Sequence, residues 1–425
     1  NDMGKTDKYA NWMSLLPDDR YLSALNIPGT HDSATANVEG SWNASYNKVA
    51  CQKYFIEQQL YAGVRALDLR TRWHGDDMVM VHGDFICHTP DHNNKSKNKT
   101  FRSVLDTVIR YLDKHTSETV IVTLKIDSGD EDKGRLALVN ILNEYTTNYP
   151  DRFYCWTETA FPNTLVAAQN RMTSPTLGQA RGKIVLMTRV DMSGAGESSL
   201  YSYTGPDLTK WDDSYKARNH YAQRIESESK VAVYIQDDYS SPDGNKKKQV
   251  FNTVYQLNGN LDQGDSIRPQ DFAFNYTSKT GSDHYGSTPL GAAKYMNDLI
   301  YNDDLFTPGS KTAKENPRLG IVVMDFVNKQ YHRPQRLPQQ RGNEGWNGDR
   351  RRRNADCGAN ALPVGFRRNA ALGWAYVHAR SHGKRVRSAC SRGRCACSYG
   401  KRDRFPCAHG KHTRSHGRRD RSPRF

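Results

Sequence analysis

Eight short apolar runs, rich in β-branched residues, recur along the first 330 residues and limit the folds that this chain can adopt. The runs are Leu22–Ile27, Val64–Leu69, Met78–Val81, Val120–Leu124, Lys183–Met187, Val231–Ile235, Phe272–Tyr276 and Leu319–Met324. Helical patterns lie between them; Phe101–His115, for example, places Val104 and Val108 on one face. This alternation predicts an α/β fold, a (β/α)8 TIM barrel rather than a doubly wound sheet, and the short connection between the second and third runs predicts a distorted one.

The basic charge of the chain is concentrated near its C-terminus. Residues 331–425 carry 24 Lys and Arg against 5 Asp and Glu, whereas the preceding 330 residues carry 37 against 41. After Phe326 no pattern for the closing helix of a barrel follows. We therefore predict a barrel over residues 1–327 and a basic, irregular, arginine-rich tail over residues 328–425. A disordered arm that binds acidic lipid or nucleic acid is one interpretation of the tail; an aberrant reading frame or misjoined exon is another, which the missing helix favours.

The sequence also carries signals for a cellular destination. No run reaches the roughly 18 to 20 apolar residues of a transmembrane helix. N-glycosylation triplets begin at Asn43, Asn94, Asn98 and Asn275. We therefore expect a secreted glycoprotein. In an oxidising compartment Cys51 and Cys87 would be the disulfide pair that we favour, with two unpaired buried thiols as the alternative.

Titratable side chains follow seven of the eight predicted strands. They are His31 with Asp32, Arg70, His82, Lys125, Arg189, Asp237 and Asp325. Because the carboxyl ends of barrel strands meet at one face, these side chains predict an active site there.

The residue types at these strand ends suit one kind of chemistry. Of two imidazoles, one can take a proton from a nucleophile while the other gives a proton to a leaving group. An arginine can hold a phosphate through two hydrogen bonds, and a carboxylate such as Asp325 can fix the tautomer of an imidazole. Together these groups predict in-line attack on a phosphodiester without a metal ion.

Several of these segments resemble the X region of phosphatidylinositol-specific phospholipase C, in its bacterial, calcium-independent form. The segments are Asn26–Ser33, Gly63–Arg70, Val81–Gly83, Ser117–Lys125, Gly182–Leu186, Gln236–Tyr239 and Val323–Phe326. They occur in the order of the family and span about residues 10–327. The resemblance implies a distorted TIM barrel that acts on phosphatidylinositol or on glycosylated inositol lipids.

The resemblance also implies a role for each matching residue. His31, supported by Asp325, would deprotonate the inositol 2-hydroxyl, and His82, with Asp32 beside it, would protonate the departing diacylglycerol oxygen. Arg70 would hold the phosphoryl oxygens. The product would be inositol 1,2-cyclic phosphate, which water could then open slowly.

Further expectations concern the ligands and partners of the barrel. By resemblance, the inositol ring is bound by Lys125, Arg189, Asp237 and Tyr239. Arg70 stands where calcium-dependent relatives hold their ion, so that no metal or cofactor is expected. We expect a monomer that binds phosphatidylinositol-containing membranes peripherally, with Trp42 and Tyr46 at the barrel rim, and no nucleic-acid partner.

Two rival functions stay open at this point. One is a catalytically silent barrel that binds lipid or protein, and the presence of His31, His82, Arg70 and Asp325 argues against it. The other is nucleic-acid binding through the tail, which predicts a steep salt dependence.

Overall fold

The structure is a computed structural model that describes residues 9–38, 46–75, 77–89, 97–156, 174–192, 203–212, 222–226, 231–259, 266–302 and 317–327. All of these residues fall within one compact unit of the chain. The predicted tail lies outside the described residues, as do Trp42, Asn43 and Asn94, and of Tyr46 only the backbone is described. No described helix is long and apolar enough to cross a membrane.

A curled, mixed sheet forms the centre of the fold. Its ten described strands are β1 (Ile27–Thr30), β2 (Ala66–His74), β3 (Asp77–His82), β4 (Phe85–Ile86), β5 (Val120–Ile126), β6 (Ile184–Thr188), β7 (Gln223–Glu226), β8 (Ala232–Gln236), β9 (Phe272–Tyr276) and β10 (Ile321–Met324). Seven of them run parallel in the order β6-β5-β2-β1-β10-β9-β8. The first and last strands of the row along the chain, β1 and β10, are direct neighbours, with Ile27 opposite Ile321. This arrangement confirms the distorted barrel.

The third predicted strand is not a barrel strand, and that prediction is wrong. Strand β2 is nine residues long and continues beyond the barrel mouth. Gly75, at φ +65°, then helps to reverse the chain. Strand β3 returns antiparallel to β2, with Met80 opposite Thr71. His82 is thereby carried back to the mouth by a hairpin and not by a βα unit.

The first predicted strand begins too early. Leu22–Ala24 forms a turn of 3-10 helix, in which the Leu22 amide donates to the Pro175 carbonyl at 2.8 Å. Pairing with β10 starts only at Ile27. The other six predicted runs each overlap an observed strand.

Seven described helices accompany the sheet. They are α1 (Tyr46–Val49), α2 (Ile56–Tyr61), α3 (Phe101–Lys114), α4 (Glu131–Asn148), α5 (Leu177–Ala180), α6 (Asp243–Asn258) and α7 (Pro289–Asn302). Helix α3 buries the predicted face, including Val104 and Val108, and its N-cap Thr100 accepts a hydrogen bond from the Ser103 amide. The apolar faces of the helices cover the outside of the sheet and leave its carboxyl edge open.

A buried ion pair lies at the opposite, amino-terminal edge of the sheet. Arg65 and Glu118, each fully buried, precede β2 and β5 and meet at 2.7 Å between Nη2 and Oε2. The remaining guanidinium hydrogens of Arg65 are directed at the carbonyls of Leu60, Val64 and Ala10. The buried Arg65–Glu118 pair therefore holds the amino-terminal segment, through the Ala10 carbonyl, against the barrel.

The predicted disulfide is absent. Cys51 and Cys87 are both buried free thiols. The sulfur of Cys51 is directed instead at the active site, 3.8 Å from His82 Nδ1. The alternative of two unpaired buried thiols is therefore correct.

One predicted glycosylation triplet is excluded by burial. Asn275 lies in β9 with its side chain fully buried, donating to the Val250 carbonyl at 3.1 Å and accepting from Gln236 at 3.0 Å. A glycan needs a surface asparagine, so the expectation at Asn275 is wrong. Asn98 is half-buried and stays a prediction.

Candidate active site

Five of the predicted site residues meet at the carboxyl edge of the sheet. His31 and Asp32 follow β1, Arg70 lies within β2, His82 ends β3, and Asp325 follows β10. They border a cavity of about 900 Å³, which His31, Arg70 and His82 line directly. The strand neighbours β10-β1-β2-β3 explain the convergence, because each contributes its end to the same stretch of the edge.

The backbone after β1 and β10 adopts an uncommon conformation. Asp32 and Phe326 are the non-glycine residues of the described chain with positive φ, at +42° and +45°. Such a conformation costs on the order of 1–3 kcal/mol and persists where the surroundings impose it. Gln52, which is fully buried, supplies part of that constraint by donating to the carbonyls of His31 and Met324, each at 2.8 Å.

His31 has one partner on each side of its ring. Nδ1 lies 2.8 Å from Asp325 Oδ1, so it donates to that carboxylate and leaves Nε2 facing the cavity. Nε2 lies 3.0 Å from Arg70 Nη2 and 3.4 Å from Asp32 Oδ2. A neutral ring accepts at Nε2 from Arg70, and a protonated ring donates to Asp32. His31 Nε2 therefore has a hydrogen-bond partner whether the ring is neutral or protonated.

The basicity of His31 is set by competing effects. Burial lowers its pKa, but the charges of Asp32 and Asp325 more than offset burial and raise the pKa from 6.5 to about 9. Asp325 is itself buried, which raises the pKa of its carboxyl, although His31 partly counteracts this. A histidine with a buried carboxylate behind it is suited to accept a proton.

His82 lines the same cavity. Its Nδ1 lies 2.7 Å from the Val49 carbonyl and 3.2 Å from Asp32 Oδ2, which turns Nε2 toward the cavity. The rings of His31 and His82 are 6.3 Å apart between centroids, at 81° to each other. Burial would raise the pKa of Asp32, but the positive charges of Arg70, His82 and His31 outweigh burial and lower that pKa to about 2.

Arg70 is surrounded by carboxylates. Its Nε lies 2.7 Å from Asp32 Oδ1, and its terminal nitrogens lie 3.5 Å from Asp68 and 3.9 Å from Asp127. Burial opposes the charge, but these neighbours keep the pKa of Arg70 well above its usual range. The guanidinium thus supplies a positive charge among these carboxylates at the cavity.

Three of the four predicted ring-binding residues line the cavity. These are Lys125, Asp237 and Tyr239, and the side chain of Tyr239 is largely exposed at the rim. Burial raises the pKa of Asp237 to about 6, with Lys246 partly opposing the effect.

The fourth predicted ring-binding residue, Arg189, is not among the cavity-lining residues. Its guanidinium lies 4.1 Å from the centre of the Trp211 ring.

Other residues at the mouth were not predicted. Asp127 binds Lys125 at 3.1 Å and accepts from the Gly83 amide at 2.7 Å. The sequence signal for Asp127 is its position two residues after Lys125 at the end of β5, because residues i and i+2 lie on one face of a strand. Gln52 and Cys51 gave no such signal, since both lie outside the predicted strands.

A buried carboxylate holds the opposite wall of the cavity. Asp243, at the start of α6, accepts from Lys279 Nζ at 2.6 Å, from Ser282 Oγ at 2.6 Å and from the Asp283 amide at 3.1 Å. Lys279, Ser282 and Asp283 all line the cavity. The loop after β9 is therefore fixed against α6 through one side chain.

Comparison with known proteins relates this site to a family. Residues 25–190 match the family model described as "Phosphatidylinositol-specific phospholipase C, X domain". A "1-phosphatidylinositol phosphodiesterase" of Listeria monocytogenes is 28% identical over 320 residues, covering 75% of this chain and 81% of the relative. A protein of the same name from Staphylococcus aureus is 26% identical over 321 residues, covering 75% and 88%.

A solved structure agrees with this relationship. The phosphatidylinositol-specific phospholipase C from Listeria monocytogenes superimposes with a TM-score of 0.52 at 27% identity, over 75% of this chain and 94% of that one. The family match includes His31, Arg70 and His82, and the superposition extends the relationship over the rest of the barrel. The chain therefore resembles the phosphatidylinositol-specific phospholipase C, X-domain family in sequence over residues 25–190 and in fold over the rest of the barrel.

Proposed function

We propose that this protein is a phosphatidylinositol-specific phospholipase C, a lyase that converts phosphatidylinositol to diacylglycerol and inositol 1,2-cyclic phosphate. The observation that carries the proposal is the pair of imidazoles that line one cavity with ring centroids 6.3 Å apart, each next to a carboxylate, with Arg70 beside them. The relatives bear the name of the same activity.

In the proposed first step His31 acts as the general base. Phosphoryl oxygens of the substrate accept from Arg70, whose Nη2 then releases His31 Nε2. The freed Nε2 takes the proton of the inositol 2-hydroxyl as that oxygen attacks phosphorus. Asp325 stabilises the imidazolium that forms, because it already binds Nδ1 at 2.8 Å.

His82 then acts as the general acid. The bond from phosphorus to the diacylglycerol oxygen breaks, and His82 Nε2 gives its proton to that oxygen. Asp32, 3.2 Å from Nδ1, holds the ring in place for the transfer. Return of a proton from His31 to His82 through solvent restores the resting state. A slow attack of water on the cyclic product would use the same groups in reverse.

The inositol ring is proposed to lie between Lys125 and Asp237, with Tyr239 stacked on it. Lys125 and Asp237 line the same cavity as Arg70, and their polar groups suit a polyhydroxylated ring. Arg189 is kept as a more remote member of this set.

We further propose peripheral binding to phosphatidylinositol-containing membranes, to which Tyr239 and Tyr285, both exposed, would contribute aromatic rings. Secretion and a monomeric state stay proposals that rest on the sequence.

The test is a direct assay for the cyclic product. Phosphatidylinositol vesicles are incubated with the protein in EDTA, and inositol phosphates are followed by phosphorus NMR. We expect the cyclic phosphate to appear first, and its absence would refute the proposed reaction. His31→Ala and His82→Ala should each remove activity, whereas His74→Ala, at an exposed position of β2, should not. Binding of vesicles without turnover would favour the silent barrel.

A further inference from the structure

A thiol stands among the catalytic groups and has no part in the proposed mechanism. Cys51 lines the cavity, and its sulfur lies 4.0 Å from Asp32 Oδ2 and 3.8 Å from His82 Nδ1. His31 Nε2 lies 3.4 Å from the same oxygen of Asp32. The sulfur, the carboxylate oxygen and the His31 nitrogen all lie within 4.8 Å of one another.

This combination of donor atoms is one that zinc prefers. A thiolate, an imidazole nitrogen and a carboxylate oxygen are its common protein ligands, at about 2.3 Å for sulfur and about 2.0–2.2 Å for nitrogen and oxygen. Tetrahedral coordination at those lengths separates the ligand atoms by about 3.3–3.6 Å. Two of the observed separations, 3.4 and 4.0 Å, are close to these values, and the third is at most 4.8 Å, so coordination needs side-chain shifts of about 1 Å.

The surroundings of His31 also match those of a metal ligand. A ligating histidine almost always donates its second ring nitrogen to a carboxylate or carbonyl, which orients the ring. His31 does so to Asp325 at 2.8 Å, which leaves the lone pair of Nε2 as the one that could bind a metal ion. Arg70 Nη2, now 3.0 Å from Nε2, would have to withdraw, and its positive charge would weaken binding. The open side toward the cavity leaves room for a water or a ring nitrogen of His82 as the fourth ligand.

We propose that His31, Asp32 and Cys51 form an inhibitory site for zinc or another thiophilic divalent cation. On binding, the Cys51 thiol releases its proton to solvent, and the sulfur, His31 Nε2 and an oxygen of Asp32 each donate an electron pair to the ion. His31 then has no lone pair for the inositol hydroxyl, and turnover stops. The inhibition rests on the proposed function, whereas the coordination does not.

The inhibition is tested by titrating zinc into chelator-treated protein and measuring the initial rate of phosphatidylinositol cleavage. Each variant is compared with its own metal-free rate. For Cys51→Ser we expect the zinc concentration at half-inhibition to rise by at least about tenfold, as for loss of a metal-supporting group. Cys87→Ser removes another buried thiol, away from the cavity lining, and should leave that concentration unchanged. Equal inhibition of wild type and Cys51→Ser, or none in wild type, would overturn the proposal.

Cobalt coordination tests the site without any turnover. Binding of Co²⁺ to a thiolate produces a near-ultraviolet charge-transfer band and visible bands of tetrahedral cobalt. Because residues 331–425 contain five further cysteines, the signal is read as the difference between wild type and Cys51→Ser at equal protein concentration. We expect one equivalent of thiolate-bound cobalt to be lost in the variant. Identical spectra would refute the site even if the protein proved inactive on phosphatidylinositol.

Discussion

Replacement of Asp325 by asparagine is the sharpest test of the proposed base. Asp325 is almost fully buried, and its Oδ1 accepts from His31 Nδ1 at 2.8 Å. The substitution keeps the shape of the side chain and removes its charge. Oδ2 has no hydrogen-bond partner among the described residues, so an amide nitrogen placed there would be buried and unsatisfied.

The size of the effect follows from the pKa of His31. Its rise from 6.5 to about 9 corresponds to about 3 kcal/mol, to which Asp32 and then Asp325 contribute against the opposing effect of burial. Removing the charge of Asp325 should lower that pKa by roughly 1. A lower pKa alone would increase the fraction of neutral His31 at pH 7 and so raise the rate. Loss of the orienting carboxylate acts the other way, by roughly 100- to 10,000-fold in catalytic triads.

We therefore expect Asp325→Asn to reduce kcat by roughly 100-fold or more, with KM little changed. The rate is measured by phosphorus NMR of the cyclic product, and the pKa of His31 by NMR titration of labelled histidine. Asp113→Asn, which removes a half-exposed carboxylate paired with Arg152, is the matched control and should leave both quantities unchanged. A normal kcat in Asp325→Asn, or an unaltered pKa of His31, would refute the orienting role.

Three further predictions address charge at the site and at the opposite edge. Arg70→Lys should lower kcat/KM by roughly 100- to 1,000-fold, because an ammonium group cannot contact Asp32 and a phosphoryl group through a planar fork. The pKa of Asp32 is lowered to about 2, so its contribution to stability is complete above pH 3.8 and is lost as the pH falls toward 2. The pKa of His31 is raised to about 9, so its contribution is complete below pH 6.5 and is lost as the pH rises through 9. The joint contribution of these two groups to the free energy of unfolding, measured in urea as the difference from variants that lack them, should therefore be largest between about pH 4 and 6.5. Glu118→Gln should destabilise the fold by about 3–5 kcal/mol in thermal or urea unfolding, because Arg65 would stay buried without its counter-ion.

Each of these three predictions has its own control. The control for Arg70→Lys is Arg72→Lys. Arg72 is the next arginine along β2, but it pairs with the exposed Asp84, so its replacement should leave turnover unchanged. In Asp32→Asn the loss of stability below pH 3.8 should be smaller than in wild type, and equal acid sensitivity would contradict the linkage. Glu144→Gln removes a half-exposed carboxylate, and a destabilisation equal to that of Glu118→Gln would show that burial does not set the cost.

The sequence by itself determined the repeating units and the residue types at their ends. Short apolar runs rich in β-branched residues form strands where both faces of a sheet are covered, so seven of the eight runs contribute a parallel strand, the first only in part. Titratable side chains at strand ends could be predicted to converge because parallel strands share one edge. The resemblance to the phospholipase C family came from segments within the same stretches of chain.

Only the tertiary structure decided which strands are neighbours and which partner each side chain meets. Met78–Val81 has the pattern of a barrel strand, yet β2 overshoots the mouth and β3 pairs antiparallel with it. Asn275 and Cys51 carry local signals for glycosylation and for a disulfide, but burial at β9 and contact with the catalytic groups settle their states. Side-chain pairing, such as Gln52 with His31 and Met324, depends on distances between segments up to 272 residues apart, which no local pattern encodes.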